Sequence, residues 1–178
     1  MKEMNVNDFE IMAPVGSYES LMAAIKAGAD SVYFGIEGLN MRARSANNFT
    51  TEDLYKIAEI CRDKGVKSYL TVNTVIYDED IALMRSVIDA AQKAQISAII
   101  ASDVAAMMYA NEIGVEVHLS TQLNISNAEA LRFYSRFADV VVLARELNMD
   151  QVRTIHETIV RDNICGPKGH PVRIEMFA

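Results

Sequence analysis

Ile96-Ser97-Ala98-Ile99-Ile100-Ala101 and Asp139-Val140-Val141-Val142-Leu143 are apolar at consecutive positions rather than at alternate ones. A strand with one face in water alternates. A strand covered on both faces need not, and that is the situation in a parallel sheet flanked by helices. Outward from these two runs, five more β-rich segments are legible: Phe9–Ala13, Ser31–Gly35, Val66–Val72, Val115–Leu119 and Val172–Phe177. The stretches between them carry helical spacing instead. Leu54, Ile57, Ala58 and Cys61 form one apolar stripe, and Ile81, Met84, Val87, Ile88 and Ala91 form another.

Helix boundaries are also written in the chain. Ser126-x-x-Glu129 and Asn148-x-x-Gln151 read as capping boxes, Thr50 or Thr51 precedes acidic Glu52 and Asp53, and Asp78 is expected to open the third helix. Gly28, Gly65 and Gly114 fall just past helix ends, where a left-handed C-terminal residue favours glycine. The order is β-α six times, followed by a seventh strand. Parallel strands joined by helices form either an open doubly wound sheet or a closed barrel. No G-x-G-x-x-G turn follows the first strand, and polar residues recur after nearly every strand. Both features favour a barrel whose mouth is lined by successive loops.

The expectation is therefore a single α/β domain over residues 1–178, an incomplete TIM-type (β/α) barrel with seven parallel strands and six helices. A full barrel has eight strands and typically about 250 residues. The last residues, Ile174-Glu175-Met176-Phe177-Ala178, lie inside an apolar run. The chain is accordingly expected to be C-terminally truncated, without its eighth strand. Open first and last edges would favour self-association.

Composition narrows the function classes. Hydrophobic residues make up 51% and charged residues 23%, as in ordinary globular domains. No apolar run approaches the roughly 20 residues of a membrane-crossing helix, and MKEMNVNDFE lacks the apolar core of a secretory signal. The expected location is the cytoplasm, with no membrane partner. Two cysteines, Cys61 and Cys165, are too few for a disulfide framework. A net charge of −7 opposes sequence-independent binding of nucleic acid by this segment.

Side chains beyond the C-terminal strand ends of such barrels converge on one pocket. In chain order these are Arg42 and Arg44, Asn73 and Thr74, Ser102 and Asp103, Ser120, Thr121, Gln122 and Asn124, then Arg145 and Glu146. The substrate-binding set is read as Arg42, Arg44, Asn73, Asp103, Thr121, Gln122, Arg145 and Glu146. Guanidinium groups beside amides and hydroxyls suit a carboxylate or phosphate, because the fork matches paired oxygens. Structural readings stand beside this one. Asp103 can simply cap the fourth helix, and Arg145 can pair with Glu146 on the rim. His118, His156 and His170 fall on a strand, a helix and a loop, and each reads as a satisfied structural histidine. Cys61 reads as core and Cys165 as a loop thiol. No G-x-S-x-G elbow or H-E-x-x-H helix occurs, so catalytic residues stay unassigned, and no metal site is read within the chain.

Several segments in order resemble the collagenase-like peptidase family, peptidase U32. They are Ala13-Pro14-Val15-Gly16-Ser17, Gly28-Ala29-Asp30-Ser31-Val32-Tyr33-Phe34-Gly35, Met41-Arg42-Ala43-Arg44, Thr71-Val72-Asn73-Thr74, Ser120-Thr121-Gln122 and Leu143-Ala144-Arg145-Glu146. Glu175-x-Phe177 matches the start of the family's signature, whose glycine and cysteines would follow. The resemblance implies an iron–sulfur cluster in the full-length protein, held by cysteines outside this chain, and an inactive fragment without them. It implies two activities. One is oxygen-independent hydroxylation of a tRNA or rRNA base or a quinone ring, with a prephenate-like anion as small-molecule partner. The other is the proteolysis in the family's name. A non-catalytic partner subunit is the third reading, and contact with RNA would require the missing C-terminal region.

Overall fold

The computed structural model describes residues 9–39 and 49–177. Seven strands form one sheet: β1 (Met12–Pro14), β2 (Ser31–Phe34), β3 (Lys67–Val72), β4 (Ala98–Ala101), β5 (Val117–Leu119), β6 (Val140–Val142) and β7 (Arg173–Glu175). Their order in the sheet is their order in the chain, and each neighbouring pair is parallel. Six helices alternate with them: α1 (Tyr18–Lys26), α2 (Thr51–Asp63), α3 (Ile81–Lys93), α4 (Val104–Glu112), α5 (Ala128–Tyr134) and α6 (Met149–Arg161). This is a half-barrel of TIM type. Among the described residues β1 pairs only with β2 and β7 only with β6, so the cylinder is open between them.

Local chemistry explains the helix limits. Thr50 and Asp53 form a reciprocal capping box at α2, and Asn148 and Gln151 form another at α6. Gly28, Gly65 and Gly114 take φ of +89°, +69° and +80° just after α1, α2 and α4, a region where a side chain would clash. The strands after β1 are one or two residues shorter at one or both ends than the sequence expectation, and three boundaries depart from it more distinctly. The Ser126–Glu129 box does not form; Asn127 is the cap, its Oδ1 accepting from the Ala130 N–H at 2.9 Å. Asp78 opens a single 3-10 turn, Asp78–Asp80, and α3 begins at Ile81. β1 starts at Met12 because its ladder partner, Ser31, is the first residue of β2; Phe9 and Ile11 stay exposed.

The register sorts the side chains into two faces, since paired residues of parallel strands point the same way. Val32, Phe34, Leu70, Val72, Ile99, Ala101, Val117, Leu119 and Val141 pack in one cluster with helix residues such as Leu54, Ile57, Met84, Ile88, Met107 and Ile155. That face is the layer between sheet and helices. The other face lines the inside of the barrel: Met12, Ser31, Tyr33, Lys67, Tyr69, Ala98, Ile100, His118, Val140, Val142, Arg173 and Glu175. Tyr69, Ala98 and Ile100 form a small apolar cluster there with Met12 and Tyr33.

Candidate functional site

The charged side chains inside the barrel stand on or just before the odd-numbered strands, with Lys168 reaching in from the loop before β7. Along each of β1, β3, β5 and β7, every second residue points inward, so a charged residue at the strand start is followed by a second polar or apolar group one layer higher. At the lower layer Glu10, just before β1, accepts hydrogen bonds from Lys67 Nζ and from the Tyr69 hydroxyl. Burial opposes ionisation of Glu10, but the Lys67 and Tyr69 hydrogen bonds outweigh it and hold the carboxyl below its ordinary value. Burial, with Glu10 beside it, pushes the Tyr69 hydroxyl far up.

Glu116 is the other centre of this floor. It accepts from His118 Nε2 at 3.1 Å, from Arg173 Nη2 at 2.6 Å and from Lys168 Nζ. The hydrogen bond from His118 and that from Lys168, against the opposing effect of burial, hold the Glu116 carboxyl at about 2. A carboxylate only accepts, so His118 Nε2 carries the hydrogen in this contact. The imidazole also packs on Tyr69, ring centroids 4.6 Å apart. The sequence expectation was a satisfied histidine, and the ring is only half satisfied. Its Nδ1 is buried without a hydrogen-bond partner among the described residues.

Glu175 ends β7 one layer above Arg173. Burial, reinforced by the negative charge of Glu10, raises its carboxyl to about 7. Sequence reasoning passed over all of these interior groups except His118 and Glu175. The signal that marks them is the alternation Lys67-x-Tyr69-x-Thr71, Glu116-x-His118-x-Ser120 and Arg173-x-Glu175 within otherwise apolar strands.

The residues read from the sequence lie at the C-terminal strand ends. Asn73 follows β3 and is half-buried; Thr121 and Gln122 form a 3-10 turn, Thr121–Leu123, after β5. That turn is capped by Ser120, whose side chain accepts from the Gln122 N–H, and it leaves through Asn124 at φ +51°. Asp103 is the N-cap of α4, its Oδ1 accepting from the Ala105 N–H at 2.8 Å, so the capping reading describes its contact. Arg145 and Glu146 follow β6, both exposed, and do not pair with each other. Arg145 instead holds its guanidinium 5.5 Å from the ring centroid of Phe177, beyond β7. The fold thus gathers Asn73, Asp103, Thr121, Gln122, Arg145 and Glu146 at one end of the barrel. Arg42 and Arg44 lie outside the described residues.

The cysteines do not suit a cluster. Cys61 is buried in the stripe of α2, where burial pushes its thiol up to about 11, and Cys165 sits in the loop after α6, donating to the Asn163 carbonyl at 3.4 Å. Among the described residues no group of three or more His, Cys, Asp and Glu stands together as a metal site. No helix among them is long and apolar enough to cross a membrane.

Fold and interior together define a parallel (β/α) barrel with a charged floor and a polar mouth. The chain belongs to peptidase family U32, whose sequence profile matches residues 16–177. It is 74% identical over 131 residues to a protein of Porphyromonas gingivalis named collagenase, a match covering 71% of this chain and 34% of that protein. It is 33% identical over 153 residues to tRNA hydroxylation protein P1 of Bacillus subtilis, covering 84% of this chain and 36% of that one. The chain thus spans about a third of the length of these relatives. A solved structure of a U32 peptidase superposes over 94% of this chain and 66% of its own, with a TM-score of 0.71 at 16% identity, which supports the fold.

Proposed function

We propose that this barrel is the substrate-holding part of an enzyme of oxygen-independent hydroxylation, acting on an RNA base or a quinone ring. Its mouth takes an anionic small molecule of the prephenate type. An iron–sulfur cluster serves the full-length protein, with ligands outside this chain, since Cys61 and Cys165 do not suit one.

The observation that carries this reading is the state of the groups a hydrolase would recruit. His118 is tied to Glu116, Ser120 caps a turn, the Cys61 thiol is buried in the core and Cys165 is bonded to a backbone carbonyl. Each is engaged structurally, and none forms the nucleophile–base pair of covalent catalysis. The strand ends carry the guanidinium of Arg145 and the amide of Gln122, groups that suit paired oxygens, with Asn73 at the end of β3 beside them. Likeness to a tRNA hydroxylation protein over 84% of the chain supports the same direction.

The test is nucleoside mass spectrometry of tRNA and rRNA, with quinone analysis alongside, from cells lacking the gene and cells carrying it. A hydroxylated product restored by the gene is expected; identical profiles would refute the reading. Peptidase activity is the second reading, favoured by 74% identity to a protein named collagenase. Purified full-length protein that cleaves gelatin and leaves hydroxylated nucleosides and quinones unchanged would put that reading first.

A further inference from the structure

Glu175 is the final residue of β7, and its side chain faces inward, on the face shared by Tyr69 and His118. In parallel barrels, chemistry gathers at the C-terminal strand ends, so Glu175 stands between the charged floor and the mouth. Two residues further on, Phe177 carries the Arg145 guanidinium on its ring. The other interior carboxylates are fully engaged, Glu10 by Lys67 and Tyr69, Glu116 by His118, Lys168 and Arg173. The Glu175 carboxyl alone among these three has no hydrogen-bond or ion-pair partner among the described residues, although the Glu175 backbone carbonyl accepts from the Leu143 N–H. A half-buried carboxylate left without a partner is costly, and the protonated acid is the form that relieves the cost. Its rise to about 7, caused by burial and by Glu10, agrees with that placement.

We propose that Glu175 is a ligand-contacting residue of the mouth, its carboxylic acid donating a hydrogen bond to an oxygen of the anionic small molecule that Arg145 attracts. The inference rests on the anionic ligand of the proposed function and adds the group that reads its oxygen. An ionised Glu175 would meet the same oxygen with repulsion, so affinity follows the protonated fraction. Glu10 is the charge that acts on it; the other titratable or charged groups on the same inner face are Tyr33 on β2, Lys67 and Tyr69 on β3, Glu116 just before β5, His118 on β5 and Arg173 on β7, with Arg145 after β6. Glu10 and Glu116 are held ionised and the Tyr69 hydroxyl is held neutral across the neutral range. His118 is the one imidazole among these groups. Glu175→Gln separates the carboxyl from the imidazole, because it removes the carboxyl's titration while keeping a donor of the same shape.

The experiment is calorimetric titration of the full-length protein with prephenate as probe, between pH 6 and pH 9. The parent Kd is expected to rise by about tenfold per pH unit above pH 7, as linkage to one proton requires. Glu175→Gln should bind independently of pH, within about threefold of the parent at pH 6. Glu175→Ala should lose about tenfold at pH 6, the effect of one missing hydrogen bond. A flat parent profile, a shared profile in parent and Glu175→Gln, or no binding by the parent would each overturn the proposal. Hydroxylated product from cells carrying the parent gene, alongside a flat binding profile, would remove Glu175 and leave the enzyme reading standing. The expected profile without any hydroxylated product would do the reverse.

Discussion

Replacing Glu116 by glutamine keeps the shape of the side chain and removes the charge on which three donors converge. A carboxyl held at about 2 instead of its ordinary 4.5 corresponds to at most about 3 kcal/mol of stability. Lys168 and Arg173 are about half exposed, at 51% and 53%, so water screens their share. The His118 contact, 3% exposed on the imidazole side, is screened least. About 1–2 kcal/mol should remain. The sign follows from the direction of the shift. The folded value is depressed, so the contribution is complete above the ordinary carboxyl range and disappears as pH falls from about 4.5 towards 2. Hydrogen exchange read by mass spectrometry on peptides covering β5 and β7 of the full-length protein reports this part of the barrel directly. At pH 7, Glu116→Gln should exchange about 5 to 30 times faster there, and the gap should narrow by pH 3. Unchanged exchange at pH 7, or a gap of the same size at pH 3, would refute the electrostatic argument.

Substitutions at two further positions probe the frame and the rim. A Cβ at Gly166 would lie 2.6 Å from Asp139 Oδ1 and 2.8 Å from both the Ala138 carbonyl oxygen and Asp139 Cα. Most of that obstacle is backbone, so Gly166→Ala should destabilise by about 1–3 kcal/mol, visible as a lower Tm in thermal denaturation; an unchanged Tm would contradict the close approach. Asp103→Asn preserves an acceptor for the Ala105 N–H and should leave both stability and prephenate affinity near the parent's, whereas Asp103→Ala should lose about 1 kcal/mol. A large loss of affinity in Asp103→Asn with stability intact would return Asp103 to the binding set.

The strands were legible because consecutive apolar residues such as Val140–Val142 signal burial on both faces, and helix ends because caps such as Asn148 and Gln151 act within one turn. The charged interior was harder to see. Lys67, Glu116 and Arg173 stand at strand starts, where a sequence reading expects solvent, and they are tolerated inside because each charge meets an opposite one from a strand two places away. Those meetings depend on register and tilt, which no local pattern encodes. The phase of Lys67-x-Tyr69 and Glu116-x-His118 becomes informative only once the helices define which face is outside. At the rim, Asp103 carries a helix-cap signal that fits its observed bond, while Arg145 was read beside Glu146 and instead lies over Phe177, just beyond the end of the neighbouring strand β7. β1 was displaced because Phe9 and Ile11 are apolar yet exposed, and apolarity alone does not reveal where a ladder begins.

In the proposed function, β3, β5, β6 and β7 bring Asn73, Gln122, Arg145 and Glu175 to one mouth that takes the anion. A crystal structure of the full-length protein soaked with prephenate measures this directly. Ligand density within hydrogen-bonding distance of both the Arg145 guanidinium and the Glu175 carboxyl is the predicted result. Density seated against the outer helices, with the barrel mouth holding none, would contradict it.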